Sequence, residues 1–163
     1  MSNVIAMPRL VIRPGTETDR DAVVALVSGI WRETYALHLP PESTPAPEAA
    51  HIPDLVGDPA ERGWVATLGD RVIGYGSVTA NCVDQIWVPA PMRRRGIGSA
   101  ILDRAIKDIR ERGFTFAQAG CEDFNQPARQ FLEAKGWHLI ASQPQPLGDG
   151  RSCNALVFSR PLT

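Results

Sequence analysis

The feature that most constrains this chain is a strand-like run that breaks at prolines and leads, through three arginines and two glycines, into a helix. Residues 86–100 read IWVPAPMRRRGIGSA. A helix N-terminus presents unpaired backbone N–H groups and partial positive charge, and Gly96 and Gly98 leave room for an anion to approach. The segment therefore predicts a phosphate or pyrophosphate site. The spacing of the next apolar residues predicts an amphipathic helix over 99–112, with a stripe formed by Ile101, Leu102, Ala105, Ile106 and Ile109.

The arginines and the competing motifs refine this prediction. Arg93, Arg94 and Arg95 can each donate charge-assisted hydrogen bonds to phosphate oxygens, but so short a loop does not turn all three toward one ligand, and we favour Arg93 and Arg94. The segment lacks the G-x-x-x-x-G-K-[ST] of a nucleoside triphosphate site and the G-x-G-x-x-G of a dinucleotide fold. A solvated basic turn remains the alternative. Nucleic-acid binding has little support because one short basic run is not a wide positive surface.

Two spaced blocks resemble the GNAT superfamily of N-acetyltransferases. The block VDQIWVPAPMRRRGIGSAILDRAI is similar to the family's acetyl-CoA motif, a strand followed by (Arg/Gln)-x-x-Gly-x-(Gly/Ala). The block NQPARQFLEAKGW is similar to the family's N-x-x-A-x-x-x-(Tyr)-x-x-x-G-(Phe) helix. The resemblance covers about residues 83–138 and implies an enzyme that transfers an acetyl group from acetyl-CoA, its co-substrate, to an amine.

The resemblance also implies how acetyl-CoA is held. Backbone groups of Ile86, Trp87 and Val88 would pair with the pantetheine arm like an added strand, and the Val88 N–H would polarise the thioester carbonyl. Asn125 would contact the pantetheine end, although asparagine is also a favoured helix N-cap and a purely structural role stays open. The residues implied to cradle the pyrophosphate are Arg94, Arg95, Gly96, Ile97, Gly98 and Ser99.

The chain departs from the family at two catalytic positions. Many relatives have a tyrosine seven residues after the asparagine, where it protonates the departing thiolate, and this sequence has Leu132 there. Some have a glutamate base five residues before the asparagine, where this sequence has Gly120. A base is still needed because an alkylammonium group must lose a proton before it attacks. Asp84 and Glu122 are the candidates; alternation places Asp84 on the face of Ile86, and each carboxylate has a structural or solvated alternative.

Three further side chains are candidate acids. Tyr35, Tyr75 or Cys121 would replace the missing tyrosine, although a thiolate with a pKa of roughly 8.5 leaves tolerably without help. A covalent role for Cys121 is disfavoured because no histidine or other base adjoins it in the sequence.

Acceptor binding is assigned to the variable region that precedes the motif, together with Trp87. Trp31 and Tyr35 would form an apolar slot, Glu33 would pair with a cationic amine, and Trp87 alternates away from its neighbours and faces the cleft. Trp31 and Tyr35 lie four apart on a helix, so core packing is an equal alternative. A small-molecule amine is the favoured acceptor. A protein N-terminus or lysine, and a module that binds acyl-CoA without catalysis, are the other hypotheses.

Composition is consistent with one ordinary domain. The chain has 163 residues, 44% hydrophobic and 21% charged, with a net charge of -1, which predicts a single domain over 1–163 and indicates no polyanionic partner. Cys82, Cys121 and Cys153 form no C-x-x-C pair, and no apolar run is long enough to span a bilayer. We therefore expect a cytoplasmic protein, monomer or homodimer, without a metal site or membrane contact.

The predicted fold is α+β: a GNAT-like mixed, mostly antiparallel sheet of six or seven strands, flanked by helices, with splayed central strands. Gly69-Asp70 predicts a hairpin between strands at 64–68 and 72–79. The proline-rich stretch 40–59 is predicted to be a loop with at most a brief helix. Further strands are expected at 137–142 and 154–159, with a turn at 148–150 between them.

Overall fold

The computed structural model describes residues 9–35, 52–146 and 152–162. The strands are β1 (Leu10–Pro14), β2 (Gly63–Leu68), β3 (Arg71–Thr79), β4 (Cys82–Trp87), β5 (Phe116–Glu122), β6 (His138–Pro146) and β7 (Ser152–Pro161). The helices are α1 (Arg20–Tyr35), α2 (52–56), α3 (Pro59–Arg62), α4 (Ile97–Glu111) and α5 (Gln126–Ala134), with 3-10 turns at Glu17–Asp19 and Ala90–Met92.

The strands form one seven-stranded sheet in the order β1-β2-β3-β4-β5-β7-β6. Adjacent strands from β1 to β4 pair antiparallel, and β7 pairs antiparallel with both β5 and β6. The pairing of β4 with β5 is parallel. The predicted mixed, mostly antiparallel α+β sheet is therefore confirmed, including the hairpin across Gly69-Asp70.

The central strands separate soon after they meet. β4 and β5 contain six and seven residues but pair over two positions, of which the second is Val83 with Ala119. Val83 and Gln85 pair with consecutive residues of β3, so Asp84 between them is an extra, bulged residue. A bulge bends its strand and increases the local twist. The bulge therefore coincides with the point at which β4 leaves β5, and the predicted splay is confirmed.

One face of the sheet is covered by α4 and α5. α4 buries the apolar stripe expected from the sequence. Its close approach requires a glycine in β3, because a Cβ on Gly76 would collide with the Cγ2 atom of Ile101. α5 adds Leu132 to the same core, where it packs near Trp137 and Phe158. The strands that flank the splay are thus fixed from this side.

The other face is covered by α1 and α2. Val65 and Tyr75 alternate with residues that contact α4, so they point to this opposite face. They pack there with Val23, Val27 and Trp31 of α1 and with Ile52 and Val56 of α2. The second layer therefore packs directly behind the end of β4.

The segment 40–59 contains a brief helix at 52–56, as the prediction allowed, and α3 begins at its last residue, Pro59. Residues 40–51 of this segment, and the turn predicted at 148–150, lie outside the described residues. β6 and β7 are both longer than predicted, and β6 runs through Pro144 to Pro146. Proline is tolerated there because β6 is an edge strand, where an outward-facing N–H is not needed for pairing.

A partly buried ion pair between Arg13 and Asp19 closes the start of α1 and makes stability depend on pH. Hydrogen bonds from Arg13 lower the pKa of Asp19 from 3.8 to about 2, assisted by bonds from Thr16 and opposed by burial. A carboxylate with a lowered pKa stabilises the fold above its unfolded value and loses that contribution as the pH falls. We expect Asp19→Asn to lower the free energy of unfolding by about 2 kcal/mol near neutral pH. Measured by urea unfolding, the difference between wild type and variant should shrink between about pH 4 and pH 2. A difference that stays constant with pH would contradict this assignment.

Candidate active site

The candidate active site is the gap that opens between β4 and β5 beyond Val83. From Asp84 to Trp87, the described residues provide no strand partner for the edge of β4 that faces β5. Backbone N–H and C=O groups alternate between the two edges of a strand, so part of this stretch presents unpaired donors and acceptors to the gap. An extended ligand can bind such an edge as an added strand. The geometry therefore suits the role that the resemblance implies for Ile86, Trp87 and Val88.

The amino end of α4 reaches the same gap. Its N-cap, Gly96, has a φ of 80°, and no side chain caps the helix. The first helical bond joins Ala100 N to Gly96 O at 2.9 Å, so the three N–H groups between them have no acceptor within the helix. A Cβ on Gly98 would lie 3.6 Å from the Phe131 ring and 3.8 Å from Val88. Gly98 therefore lies where the end of β4 and the side of α5 meet the start of α4.

The three arginines of the loop have different surroundings. Arg93 Nε donates to the Val88 carbonyl at 3.0 Å and ties the loop to the end of β4. The phosphate contact predicted for Arg93 therefore competes with a structural one. Arg94 and Arg95 are exposed, and Arg94 has a left-handed φ of 62°, which is costly for a residue with a Cβ. Their charges add to the positive end of α4.

Asn125 is the N-cap of α5. Its Oδ1 accepts a hydrogen bond from the Ala128 N–H at 3.3 Å, and its carbonyl accepts one from the Arg129 N–H at 3.1 Å. This is the structural role that the sequence left open. The cap uses the oxygen of the side-chain amide and not its nitrogen, so the implied cofactor contact is compatible with it.

Asp84 lies at the closed end of the gap. It is exposed, and its carboxylate accepts a hydrogen bond from the Thr79 hydroxyl at 2.5 Å. Thr79 in turn accepts one from Arg62 at 3.2 Å. Because Asp84 is the bulged residue, the strict alternation from which its facing was predicted does not hold here.

Glu122 lies further along the gap, at the end of β5, and is half-buried. β4 and β5 last pair at Val83 and Ala119, and three residues further along the two strands are Ile86 and Glu122. Glu122 is therefore level with the stretch of β4 implied to hold the cofactor. Of the two carboxylates, Glu122 lies beside the wider part of the gap, and Asp84 lies at its closed end.

The predicted acceptor residues are not all brought together. Trp31 is 7% exposed and belongs to the core between α1 and the sheet, which is the alternative that the sequence left open. Glu33 is exposed on α1, and the side chain of Tyr35 lies outside the described residues. Trp87 is half-buried against the same core and remains beside the gap.

A buried polar residue on β4 was missed by sequence reasoning. Gln85 is 9% exposed, donates to Leu55 O at 2.9 Å and to Ser77 Oγ at 3.1 Å, and accepts from Trp87 Nε1 at 3.0 Å. Its neighbour Asp84 is also polar, and the bulge there hides the alternation that would have indicated a buried glutamine. No sequence signal was available for it.

Two of the three candidate acids, Cys121 and Tyr75, are described, and burial favours the protonated form of each. Burial raises the pKa of the Cys121 thiol to about 11, and the adjacent Glu122 carboxylate contributes to this. Tyr75 is fully buried; its hydroxyl donates to Val56 O at 3.3 Å, and burial raises its pKa. Leu132, at the usual tyrosine position, is buried in the core, and Gly120, at the usual glutamate position, is exposed on β5.

Two further observations concern metal sites and membrane-spanning helices. Within the described ranges, no three His, Cys, Asp or Glu side chains come together as metal ligands. Of the helices in the same ranges, none combines the length and apolar character required to cross a membrane.

Comparisons with known proteins agree with this geometry. The model of the acetyltransferase (GNAT) family matches residues 25–137, more than half of the chain. The PaiA N-acetyltransferase of Thermoplasma acidophilum, solved with coenzyme A, aligns with a TM-score of 0.76 and 15% identity over 94% of this chain and 99% of that one. A GCN5-related N-acetyltransferase of Rhodopseudomonas palustris aligns with a TM-score of 0.73 and 19% identity over 99% and 100%.

A third similar structure is YncA of Salmonella typhimurium, solved with acetyl-CoA, which aligns with a TM-score of 0.68 and 20% identity over 94% of each chain. At these identities the likeness establishes a shared fold. No curated protein sequence matches the chain significantly.

Proposed function

The chain belongs to the GNAT family of acetyltransferases, which use acetyl-CoA, and from that premise we propose that it acetylates the primary amine of a small molecule by direct attack. The observation that carries the proposal is the open edge of β4 beside the uncapped amino end of α4. Acetyl-CoA supplies an acetyl group activated as a thioester. The remaining work falls to this chain's own residues.

In the proposed donor site, acetyl-CoA is bound by the start of α4 and the edge of β4. The N–H groups at the start of α4, together with Arg94 and Arg95, hold the pyrophosphate, because unpaired helix N–H groups and positive charge favour an anion. The edge of β4 from Ile86 to Val88 holds the pantetheine arm, and the Val88 N–H is directed to the thioester oxygen, where charge develops during attack. Arg93 acts on this site by tethering Val88.

The acceptor side requires a base, and we assign it to Glu122. The position of Glu122 along the gap supports this assignment, because Glu122 lies beside the stretch of β4 assigned to the cofactor, whereas Asp84 lies at the closed end of the gap. A carboxylate there attracts a cationic amine and accepts a proton from it, directly or through water, before the amine attacks. The departing thiolate needs little assistance at neutral pH because thiols are moderately acidic.

A small-molecule acceptor is favoured over a peptide by the packing around Trp87. α2 packs onto the middle of β3 and the end of β4, where Tyr75 and Gln85 bond its last carbonyl groups. This layer walls the acceptor side of β4 and so supports a closed pocket, whereas a peptide needs an open groove.

Direct attack predicts that Cys121 is dispensable for transfer. Only a thiolate is a good nucleophile, and burial holds the pKa of this thiol at about 11. We expect Cys121→Ala to keep kcat within about twofold of wild type, since no covalent step is lost. Intact-protein mass spectrometry after incubation with acetyl-CoA should detect no acetylated enzyme. A stable acetyl adduct on wild type that Cys121→Ala abolishes would instead support a covalent route.

The function is tested by calorimetric titration with acetyl-CoA and CoA, paired with free-thiol release on a panel of amines. Saturable binding with amine-dependent thiol release is the expected result. A set of peptides with free N-termini or lysines in the same assay distinguishes a protein acceptor. Binding without release on any amine or peptide would contradict catalysis, and no binding would contradict the donor site itself.

A further inference from the structure

A single buried side chain, Gln85, connects the cofactor strand to the layer on its acceptor side. Its two amide N–H groups reach Leu55 O and Ser77 Oγ at 2.9 and 3.1 Å, and its carbonyl accepts from the Trp87 indole at 3.0 Å. Both donor hydrogens of the amide are engaged, and its carbonyl oxygen accepts one bond. A fully engaged buried amide holds its partners in one arrangement, because any rearrangement leaves polar groups unpaired.

The contact with Leu55 fixes the end of α2. The last carbonyl groups of a helix have no partner within it. Two of them are bonded by other elements: Leu55 O by Gln85 and Val56 O by Tyr75 at 3.3 Å. Just beyond the helix, Gly57 O accepts a bond from Arg20 at 3.0 Å. The position of α2 therefore depends on side chains of β3, β4 and α1.

The contact with Trp87 fixes the indole on the acceptor side. Trp87 directly precedes Val88, whose N–H is assigned to the thioester, and its side chain packs against the core behind the gap. An indole has a single N–H donor, and its bond to Gln85 at 3.0 Å restrains rotation of the ring. The ring is thereby held beside the point at which the amine must approach.

We infer that Gln85 is a positioning residue for the acceptor: it holds the Trp87 indole and the end of α2 in register with the cofactor strand. The inference rests on the proposed function for the identity of the acceptor, but the positioning itself does not depend on it. The placement of the Trp87 indole and of the end of α2 sets the affinity for the acceptor. Acetyl-CoA is held mainly elsewhere, by the backbone of β4 and by the start of α4.

The test uses substitutions that separate the bonds. Gln85→Met keeps the length of the side chain and removes every hydrogen bond. Gln85→Glu keeps an acceptor for the Trp87 N–H and loses both amide donors, to Leu55 O and to Ser77 Oγ, although the Ser77 hydroxyl can donate to the new carboxylate. Ser77→Ala is the matched control, since Gln85 then keeps both Leu55 and Trp87. All variants are compared by thermal melting, acetyl-CoA titration, acceptor kinetics and the emission of Trp87, obtained as the difference from the same protein with Trp87→Phe.

We expect Gln85→Met to raise the acceptor KM about tenfold, with kcat and the acetyl-CoA Kd within about twofold, because only acceptor positioning is lost. Its Trp87 emission should shift, and Gln85→Glu should restore the emission while its KM falls between the two. Ser77→Ala should keep the acceptor KM and the Trp87 emission close to those of wild type, with a lower thermal stability because one buried Gln85 N–H loses its acceptor. In a Trp87→Phe background, Gln85→Met should raise KM much less, since the two residues act together.

Two results would overturn the inference. One is active Gln85→Met with an unchanged acceptor KM. The other is an unchanged Trp87 emission in Gln85→Met, which remains measurable even if no amine is a substrate. Loss of the proposed function is distinguished by the wild-type protein, which would then bind acetyl-CoA and release no thiol with any acceptor.

Discussion

Replacing Glu122 by glutamine is expected to lower kcat/KM for the acceptor amine by about 100-fold, the lower end of the range for loss of a general base. Glutamine keeps the size of the side chain and removes the group that takes the proton. The loss should be smaller for an acceptor that is already neutral at the assay pH, because such an amine needs less help before attack. Steady-state thiol release with a strongly basic and a weakly basic amine measures both effects, and calorimetry should give an acetyl-CoA Kd close to that of wild type.

Asp84→Asn is the matched control, because Asp84 is the other carboxylate on the gap. It lies at the closed end, where its bond to Thr79 and the Thr79 bond to Arg62 indicate a role in holding the β3–β4 turn. We expect a decrease in kcat/KM of less than about fivefold, together with a small loss of thermal stability. The opposite order, with Asp84→Asn nearly inactive and Glu122→Gln nearly wild type, would assign the base to Asp84.

The parts of the fold that depend on a few neighbouring residues were predictable from the sequence. Gly69-Asp70 predicted a hairpin that is present, and the apolar stripe of α4 is buried as expected. The extent of β6 was not predictable, since Pro144 and Pro146 end a strand in most contexts and are tolerated here only because β6 lies at the sheet edge. Edge position depends on the order of strands, which no single segment of the sequence specifies.

The site was predictable in its backbone and less so in its side chains. A glycine-rich helix start predicts unpaired backbone N–H groups from the local sequence alone, whatever the rest of the fold. The facing of Asp84 depended on alternation, which the bulge removes. One partner of Gln85, the Leu55 carbonyl, comes from α2, 30 residues earlier in the chain. The role of Trp31 could not be predicted either, because the sequence pattern of an amphipathic helix is the same whether its aromatic residue lines a pocket or fills the core.

Substituting Gly98 by valine is the sharpest test of the donor site, with an expected loss of acetyl-CoA affinity of about 100-fold. A Cβ at this position already lies within 3.6 Å of Phe131 and 3.8 Å of Val88. Branched methyl groups beyond that Cβ must occupy the space between the start of α4, β4 and α5. The phosphate then loses its approach to one or two helix N–H groups, and each hydrogen bond to a charged group contributes about 1.5 to 3 kcal/mol.

Gly98→Ala separates this effect from a general disturbance of the helix. Its Cβ would make ordinary contacts, and alanine favours the helical conformation more than glycine does, so affinity should stay within about threefold and stability should rise slightly. The contrast between the two variants, measured by titration with CoA at matched thermal stability, isolates the bulk beyond the Cβ. A Gly98→Val protein that binds CoA as wild type does would move the phosphate site away from the start of α4. Because the cofactor edge of β4 adjoins Gly98 through Val88, that result would also require a new path for the pantetheine arm.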